Sequence, residues 1–225
     1  MNKRRVVITG LGVLAPNGNS LSEYWDALIA GKSGIGPIKG FDAEDLSVRI
    51  AGELSDFNPE NHFNRKEVGK LDPFSIYALV TAKEAISQAG LDNGDVNKER
   101  VGVIIGTGVG GIQTLESQHS VLMTRGQRRV TPYFVPKFIA NIAAGQIAIQ
   151  HGFQGTNHTV ISACASGTDA IGTAARTIQY GDADVVITGG TEASVTPLPI
   201  SGFANMRALS TRNDDPTSAS RPFDL

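Results

Sequence analysis

Short apolar runs alternate with amphipathic segments along most of the chain. Three runs rich in β-branched residues have the composition of buried strands: 6–9, 101–106 and 184–188. Between them, apolar residues recur at helical spacing, most clearly in the segment that opens at Asp72-Pro73 and closes at Gly90. Strands that alternate with helices predict an α/β fold with a largely parallel sheet.

Other segments complete this prediction. Helical spacing recurs in the segments 20–31, 112–123 and 137–149. The polar stretch at about 33–71, rich in glycine and proline, is predicted to be a long irregular excursion. The tail, 210–225, is polar and turn-rich and has no pattern typical of a closing helix or strand.

The single cysteine of the chain, Cys164, lies between a predicted strand at 159–163 and a predicted helix that ends at Gly181. A thiol at such a seam faces free backbone N–H groups and the positive end of the helix dipole, which both favour a thiolate. The same N–H groups could hold the negative oxygen of a tetrahedral intermediate. The alternative is an inert, buried cysteine that acts as a small hydrophobic residue. Residue type alone leaves both interpretations open.

Composition narrows the possible classes of protein. The net charge of −2, from 20 basic and 22 acidic residues among 225, gives no overall attraction to nucleic acid. One cysteine excludes an internal disulfide and a cysteine-rich zinc site. The basic and apolar N-terminus lacks the cleavage pattern of a signal peptide, and no stretch approaches the ~20 apolar residues of a membrane span. We therefore expect a cytoplasmic protein without a membrane segment.

Two glycine patterns suggest a dinucleotide site as an alternative. The first, at 10–15, is followed by a turn at 16–18 instead of the helix that a phosphate site requires. The second, at 106–111, is a full G-x-G-x-x-G before a predicted helix. No acidic residue ends a second strand about 20 positions later, where the ribose contact is expected. Close backbone packing is the favoured explanation of both patterns.

A catalytic cysteine normally needs a nearby base. His158 lies on the strand that leads to Cys164, and six extended residues place it ~20 Å away. Nothing in the sequence places His62, His119 or His151 near the thiol. The sequence therefore predicts an activated nucleophile without an evident base.

The segment around Cys164, Ser-Ala-Cys-Ala-Ser-Gly at 162–167, resembles the nucleophile motif of the β-ketoacyl-acyl-carrier-protein synthases, the condensing enzymes of fatty-acid synthesis. Segments elsewhere match this family as well: 4–10, 106–111, 132–136 and 180–184. The run at 202–213 is similar to the elongating members in particular. The resemblance covers the whole chain, and it displaces the dinucleotide interpretation because this family uses no dinucleotide.

The resemblance implies a thiolase-like α/β fold, in which two similar halves pack into a layered αβαβα whole, usually as a homodimer. It implies an acyltransferase whose cysteine takes an acyl chain from acyl-carrier protein. Malonyl-carrier protein then loses CO2, and the resulting carbanion attacks the acyl thioester. No cofactor or metal is implied.

By position, the resemblance makes Cys164 the nucleophile and its N–H half of the oxyanion hole. It assigns Val109 and Ala163 to the acyl pocket, and Phe134 to a pocket wall at the partner subunit. Five basic residues match positions that receive the acidic carrier protein: Lys66, Lys70, Arg128, Arg129 and Arg207. The departure is Gly69, where the family often has a basic residue.

The family's two catalytic histidines, its lysine and its second oxyanion donor belong to a second half that this sequence lacks. We therefore expect residues 1–225 to be the N-terminal domain of a synthase, unable to complete condensation alone. A lone half should expose a large apolar face and associate. The alternative is a non-catalytic half-synthase that serves as a dimerisation or carrier-protein-binding module.

Overall fold

The computed structural model describes residues 4–54, 56–93 and 96–224. They fall into two compact units. The first consists of Met1–Gly12 and Pro59–Ala193, and the second of Val13–Asn58 and Ser194–Leu225. The expected α/β architecture is present, because the first unit surrounds a parallel sheet with helices.

The described strands are β1 (Gly36–Pro37), β2 (Ile50–Ala51), β3 (Val101–Gly106), β4 (Asn157–Val160) and β5 (Val185–Gly190). The described α-helices are α1 (Leu21–Ile29), α2 (Arg65–Val68), α3 (Pro73–Gln88), α4 (Ile112–Arg125), α5 (Phe134–Phe138), α6 (Ile142–His151), α7 (Ser166–Tyr180) and α8 (Pro197–Asn205). Short 3-10 turns occupy Pro59–Asn61, Leu91–Asn93, Lys98–Arg100, Gln127–Arg129 and Pro216–Ser218.

The parallel sheet of the first unit has the order β4-β3-β5, so β3 is its centre. Every residue of β3 is buried, as its continuous apolar sequence predicts. Successive side chains point to opposite faces. Val103 and Ile105 therefore join the core formed with α3 and α6, whereas Ile104 packs with Ala170 and Ala174 of α7.

Helix α3 has the boundaries that its capping residues predict. The carboxylate of Asp72 accepts from the N–H of Phe74 at 3.3 Å, and Pro73 occupies the first helical position. Asp72 also accepts from the backbone N–H and the hydroxyl of Thr114, at 2.9 and 2.7 Å. Burial raises the pKa of Asp72, while these hydrogen bonds act in the opposite direction. The buried carboxylate thereby fastens the start of α4 to the start of α3.

The prediction of a buried strand at 6–9 is wrong. These residues have no strand structure, and Val7 and Ile8 are 60% and 79% exposed. Each neighbour of β3 is already another strand, and the N-terminal segment runs along α3. A Cβ on Gly10 would lie 2.0 Å from the carbonyl oxygen of Ala85. The first glycine pattern therefore serves close packing against a helix.

Two other boundaries differ from the prediction. The strand predicted at 159–163 lies at 157–160, and it is partly exposed because it forms an edge of the sheet. The helix predicted at 137–149 is divided into α5 and α6. The break passes beside the glycine-rich loop, where the N–H of Gly111 donates to the carbonyl of Phe138 at 3.1 Å.

The second unit contains the predicted excursion as far as Asn58 and the C-terminal segment, whereas residues 59–71, which include the short helix α2, belong to the first unit. Helix α1 lies within the segment 20–31 that the apolar spacing predicts, and it is capped by the Ser20 hydroxyl, which accepts from the N–H of Glu23. Strands β1 and β2 form a short antiparallel pair. The small core of this unit includes Val48, Ile50 and Ile200. The tail has one 3-10 turn and, over 210–224, no closing helix or strand.

Candidate active site

The carboxyl ends of the three parallel strands lie side by side. Gly106, the last residue of β3, is in register with Val160 of β4 and with Gly190 of β5. Loops that follow such ends meet at one edge of the sheet, where open α/β sheets bind their ligands. Cys164 lies in the loop after β4 and Val109 in the loop after β3. The sheet therefore brings two residues of the predicted site to the same edge.

Glycines let α7 lie directly on this edge. A Cβ on Gly106 would lie 2.2 Å from the carbonyl oxygen of Ser166, a distance that no real side chain tolerates. A Cβ on Gly190 would lie 3.0 Å from the Cα of Gly167. Close backbone approach of this kind requires glycine. It places the first turn of α7, and the loop before it, against the ends of β3 and β5.

The loop that carries Cys164 is held by a network of hydroxyl groups. The Ser166 hydroxyl accepts from the N–H of Ser162 at 2.9 Å and donates to the carbonyl of Ala163 at 2.6 Å. The Ser162 hydroxyl donates to the carboxylate of Asp169 at 2.5 Å. Ala163 adopts the left-handed conformation, with φ of 53°. Backbone strain of this kind clusters at functional sites.

Cys164 is exposed at the start of α7, so it is not a buried hydrophobic residue. Within the described residues, no hydrogen bond satisfies its backbone N–H or that of Gly167. Free N–H groups at a helix N-terminus attract negative charge. Cys164 therefore lies beside N–H groups that have no hydrogen-bond partner among the described residues.

No described side chain is hydrogen-bonded to the Cys164 thiol, and this includes all four histidines: His62, His119, His151 and His158. His158 belongs to β4, at the position paired with Ile104. His151 ends α6 and stacks on Phe153, with 5.4 Å between ring centroids. Burial lowers the pKa of His151. The thiol therefore has no base among its described contacts.

The glycine-rich loop after β3 is occupied by a side chain of the protein. The carboxylate of Glu192 accepts from the N–H groups of Gly108 and Val109, at 2.6 and 3.2 Å. It also accepts from the hydroxyl of Thr107 at 3.4 Å. These are the donors that a nucleotide phosphate would need. The loop is thus built for an internal carboxylate, which accounts for the second glycine pattern.

Sequence reasoning missed Glu192. Its signal was an acidic residue four positions after the carboxyl end of the strand predicted at 184–188. Thr191 fixes this position, because its N–H donates to the carbonyl of Gly106 and its hydroxyl to the carbonyl of Phe74. The partner loop of Glu192 lies more than 80 positions earlier in the chain, so no local pattern could pair them.

The acyl-pocket residues predicted from the resemblance lie on neighbouring segments. Gly108 lies near Ala163, since a Cβ built at Gly108 would lie 3.7 Å from the carbonyl oxygen of Ala163. Val109 therefore follows a residue that lies near the cysteine loop, and it is 47% exposed. Phe134 stacks on Phe138 with 5.6 Å between centroids, on the short helix that borders the glycine-rich loop. No described contact joins Phe134 to Cys164 itself.

Four of the five predicted basic residues belong to the first unit and are exposed: Lys66, Lys70, Arg128 and Arg129. The ammonium of Lys70 lies 5.6 Å from the centroid of the Tyr133 ring, which follows the two arginines in the chain. Arg207 belongs to the second unit, where it is exposed with φ of 58°.

Lys137 is a further cation that the sequence did not single out. Its ammonium donates to the carbonyl of Gly69 at 3.3 Å. The glycine that departs from the family pattern therefore has a cation beside its backbone. The described residues contain no group of three or more side chains suited to a metal ion, and none of their helices is long and apolar enough to cross a membrane.

The family model described as "Beta-ketoacyl synthase, N-terminal domain" matches residues 3–225. The chain is 47% identical over 224 residues to 3-oxoacyl-[acyl-carrier-protein] synthase 2 of Synechocystis, covering 100% of this chain and 54% of that protein. Identity to the protein of the same name from Staphylococcus aureus strain N315 is 49% over 220 residues, covering 98% and 53%. The chain thus spans about half the length of the curated relatives it matches.

Solved structures agree with these sequence matches. A β-ketoacyl synthase from Burkholderia phymatum superposes with a TM-score of 0.86 at 30% identity, covering 100% of this chain and 55% of that one. A ketosynthase assembly described as a type II PKS acyl-carrier protein in complex with its ketosynthase bound to the hexaketide has a TM-score of 0.79 at 28% identity. That match covers 92% of this chain and 57% of the other.

Proposed function

Because this chain belongs to the β-ketoacyl synthase family, with the N-terminal half of its thiolase-like fold, we propose that it carries the acyl-accepting nucleophile of a 3-oxoacyl-acyl-carrier-protein synthase. The observation that supports this most directly is the exposed Cys164 thiol beside unsatisfied N–H groups at the start of α7. The substrate class is a fatty acyl thioester on the phosphopantetheine arm of acyl-carrier protein.

The proposed step is a thioester exchange. The thiolate of Cys164 attacks the acyl carbonyl, and a new C–S bond forms in a tetrahedral intermediate. The C–S bond to phosphopantetheine then breaks, and that sulfur leaves as a thiol after it takes a proton. The N–H of Cys164 stabilises the oxyanion as half of the oxyanion hole.

Condensation requires more groups than the described residues place around this thiol. Decarboxylation of malonyl-carrier protein creates an enolate, whose charge calls for neutral imidazole donors. The described contacts of Cys164 include no histidine. We therefore assign acyl uptake to these 225 residues and the condensation step to an enzyme that also contains the two histidines and the lysine.

The acyl chain is proposed to lie along Val109 and Ala163. Support comes from the short distance between Gly108 and Ala163, because a Cβ built at Gly108 would lie 3.7 Å from the carbonyl oxygen of Ala163. Phe134 is proposed as a pocket wall that reaches the site of a second subunit in a homodimer. The edge strand β4 favours such a dimer, because its outer edge is open to pairing within the described residues.

The basic residues are proposed to bind the acidic carrier protein: Lys66, Lys70, Arg128, Arg129 and Arg207. Their exposure supports this role, as does the contact between Lys70 and the Tyr133 ring next to the arginine segment. An unpaired reactive thiol suits the reducing cytoplasm, where we place the protein.

Acyl transfer can be measured through the free thiol that it releases on the carrier protein. Wild-type chain mixed with hexadecanoyl-carrier protein should release one free thiol per Cys164, and Cys164→Ser should release none above background. Circular dichroism should give the same spectrum for both chains, because the substitution replaces one exposed atom. Equal thiol release from both chains would contradict the proposal.

A second candidate function is a non-catalytic module that dimerises or binds carrier protein. The observation that favours it is the lack of a base among the described contacts of Cys164. It predicts carrier-protein binding without thiol release. Formation of a ketoacyl product from acyl- and malonyl-carrier protein by the purified chain would rule this candidate out.

A further inference from the structure

Glu192 presents a carboxylate to the one loop of the site that has almost no side chains of its own. The loop runs from Thr107 to Gly111 and contains three glycines. Glu192 accepts from two successive N–H groups, and the 2.6 Å bond to Gly108 is as short as strong charge-assisted hydrogen bonds are. A Cβ on Gly108 would lie 2.9 Å from the same carboxylate oxygen, so a larger residue there would displace the end of the Glu192 side chain.

The backbone on either side of Glu192 is buried, whereas the middle of the loop that it holds is exposed at Val109. Thr191 and Ala193, on either side of Glu192, are both buried. Val109, by contrast, is 47% exposed, while the ends of the loop are held by the bonds from the N–H of Gly110 to the Thr107 hydroxyl and from the N–H of Gly111 to the carbonyl of Phe138. The Glu192 side chain therefore links the buried backbone after β5 to Gly108 and Val109 in the middle of the loop.

We propose that Glu192 is a positioning residue for the acyl pocket: its carboxylate holds Gly108 and Val109 in place against the cysteine loop, so that Val109 forms an ordered apolar wall beside Cys164. The proposal rests on the proposed function for its biological meaning. Its physical content is that an alkyl chain attached to Cys164 gains contact with a wall that is already ordered, at no cost in loop entropy.

The positioning role of Glu192 can be tested with N-alkyl maleimides, in a reaction that does not depend on acyl transfer. They alkylate Cys164, the single cysteine of the chain, and the ratio of N-octyl to N-ethyl rates measures the benefit of an alkyl chain at the site. Glu192→Ala should lower this ratio by about threefold or more, since one or two methylene contacts contribute ~10-fold. Glu192→Gln should retain most of it, because the amide oxygen can accept from both N–H groups.

Hydrogen exchange provides the second readout. Loss of two hydrogen bonds to a charged group should speed exchange of the Gly108 and Val109 amides by roughly 10-fold or more in Glu192→Ala. Glu99→Ala is the matched control, because Glu99 is exposed just before the opposite end of β3. It should change neither measurement.

The outcomes separate this proposal from the proposed function. Faster exchange in Glu192→Ala with an unchanged alkylation ratio would overturn the positioning role and leave a purely structural one. An unchanged exchange rate would overturn the proposal at its first step. Failure of wild-type chain to take an acyl group from carrier protein would contradict the proposed function alone, because the maleimide ratio does not depend on it.

Discussion

Ala163, the residue before Cys164, adopts a backbone conformation that residues other than glycine rarely adopt. Its φ of 53° brings the Cβ close to the following carbonyl oxygen. Alanine, with the smallest side chain, tolerates this better than any residue except glycine. The strain is retained because Ser166 and Ser162 hold the turn from both sides.

Ala163→Val should therefore destabilise the fold by about 1–3 kcal/mol, because a β-branched residue is poorly tolerated at positive φ. Ala163→Gly should leave stability within roughly 1 kcal/mol of the wild type, since relief of strain offsets the greater freedom of the unfolded chain. Urea denaturation measures both values. A valine variant as stable as the wild type would contradict the left-handed geometry.

A single residue could be predicted from the sequence when its role depends on the segments directly beside it in the chain. Cys164 was predictable because the strand and the helix on either side of it have strong patterns. Glu192 was not, since its carboxylate acts on a loop that is distant in the chain and near only in the folded protein. Lys137 was missed for the same reason, as its partner, Gly69, is 68 positions away.

At the scale of elements, the position of α7 on the sheet depends on a cluster of glycines. Gly106 and Gly190 end two neighbouring strands, and Gly167 lies in the first turn of the helix. Their missing side chains allow helix and sheet backbones to touch. This contact determines where Cys164 lies relative to the loop of Val109.

Gly106→Ala should destabilise the protein by roughly 1–3 kcal/mol or more, because its Cβ would meet the backbone of Ser166 at 2.2 Å. Gly172→Ala, within the same helix α7, is the matched control. A Cβ there meets nothing within 4 Å, so alanine should stabilise the helix by about 0.5–1 kcal/mol. Thermal melts of the two variants should shift in opposite directions. A Gly106→Ala melt that rises alongside Gly172→Ala would contradict the packing described.

Helices with complete capping signals were predicted well. Asp72 and Pro73 mark the start of α3, and Gly181 ends α7 in the left-handed conformation. Strand prediction failed at 6–9, because a strand needs a neighbouring edge and β-branched composition supplies none. The break between α5 and α6 was also hidden, since it depends on the close passage of the glycine-rich loop.

For the molecule as a whole, an ion-pair cluster joins distant parts of the first unit. Asp184 accepts from Arg4 at 2.7 Å and from Arg100 at 3.0 and 3.2 Å. The guanidinium of Arg100, followed by that of Arg4, lowers the pKa of Asp184 from 3.8 to about 2. The cluster connects the N-terminal segment to the entry of both β3 and β5.

The lowered pKa of Asp184 determines how its contribution to the stability of the fold changes with pH. Because the pKa of Asp184 is lower in the folded protein, its contribution to stability is present above about pH 4 and is lost as the pH falls toward 2. The melting temperatures of wild type and Asp184→Asn should therefore differ at pH 7 and converge below pH 4. Asp45→Asn, at an exposed carboxylate, should follow the wild type throughout. A difference that widens in acid would contradict the account.

The first unit exposes several large apolar side chains, and on this basis we predict that the chain associates. Val7, Ile8, Ile161, Ile171 and Tyr180 are each more than half exposed. The sequence alone could not show which apolar side chains are exposed, because their exposure depends on which faces the sheet and α7 leave uncovered.

The central claim is that Cys164 accepts the acyl group, and the most direct test locates that group in the chain. Wild type and Cys164→Ser are mixed with hexadecanoyl-carrier protein, digested with trypsin and measured by mass spectrometry. One acyl group should appear on the peptide 138–176, which contains Cys164, and none on the same peptide of the serine variant. An acyl group on another peptide, or equal labelling of both chains, would contradict the account.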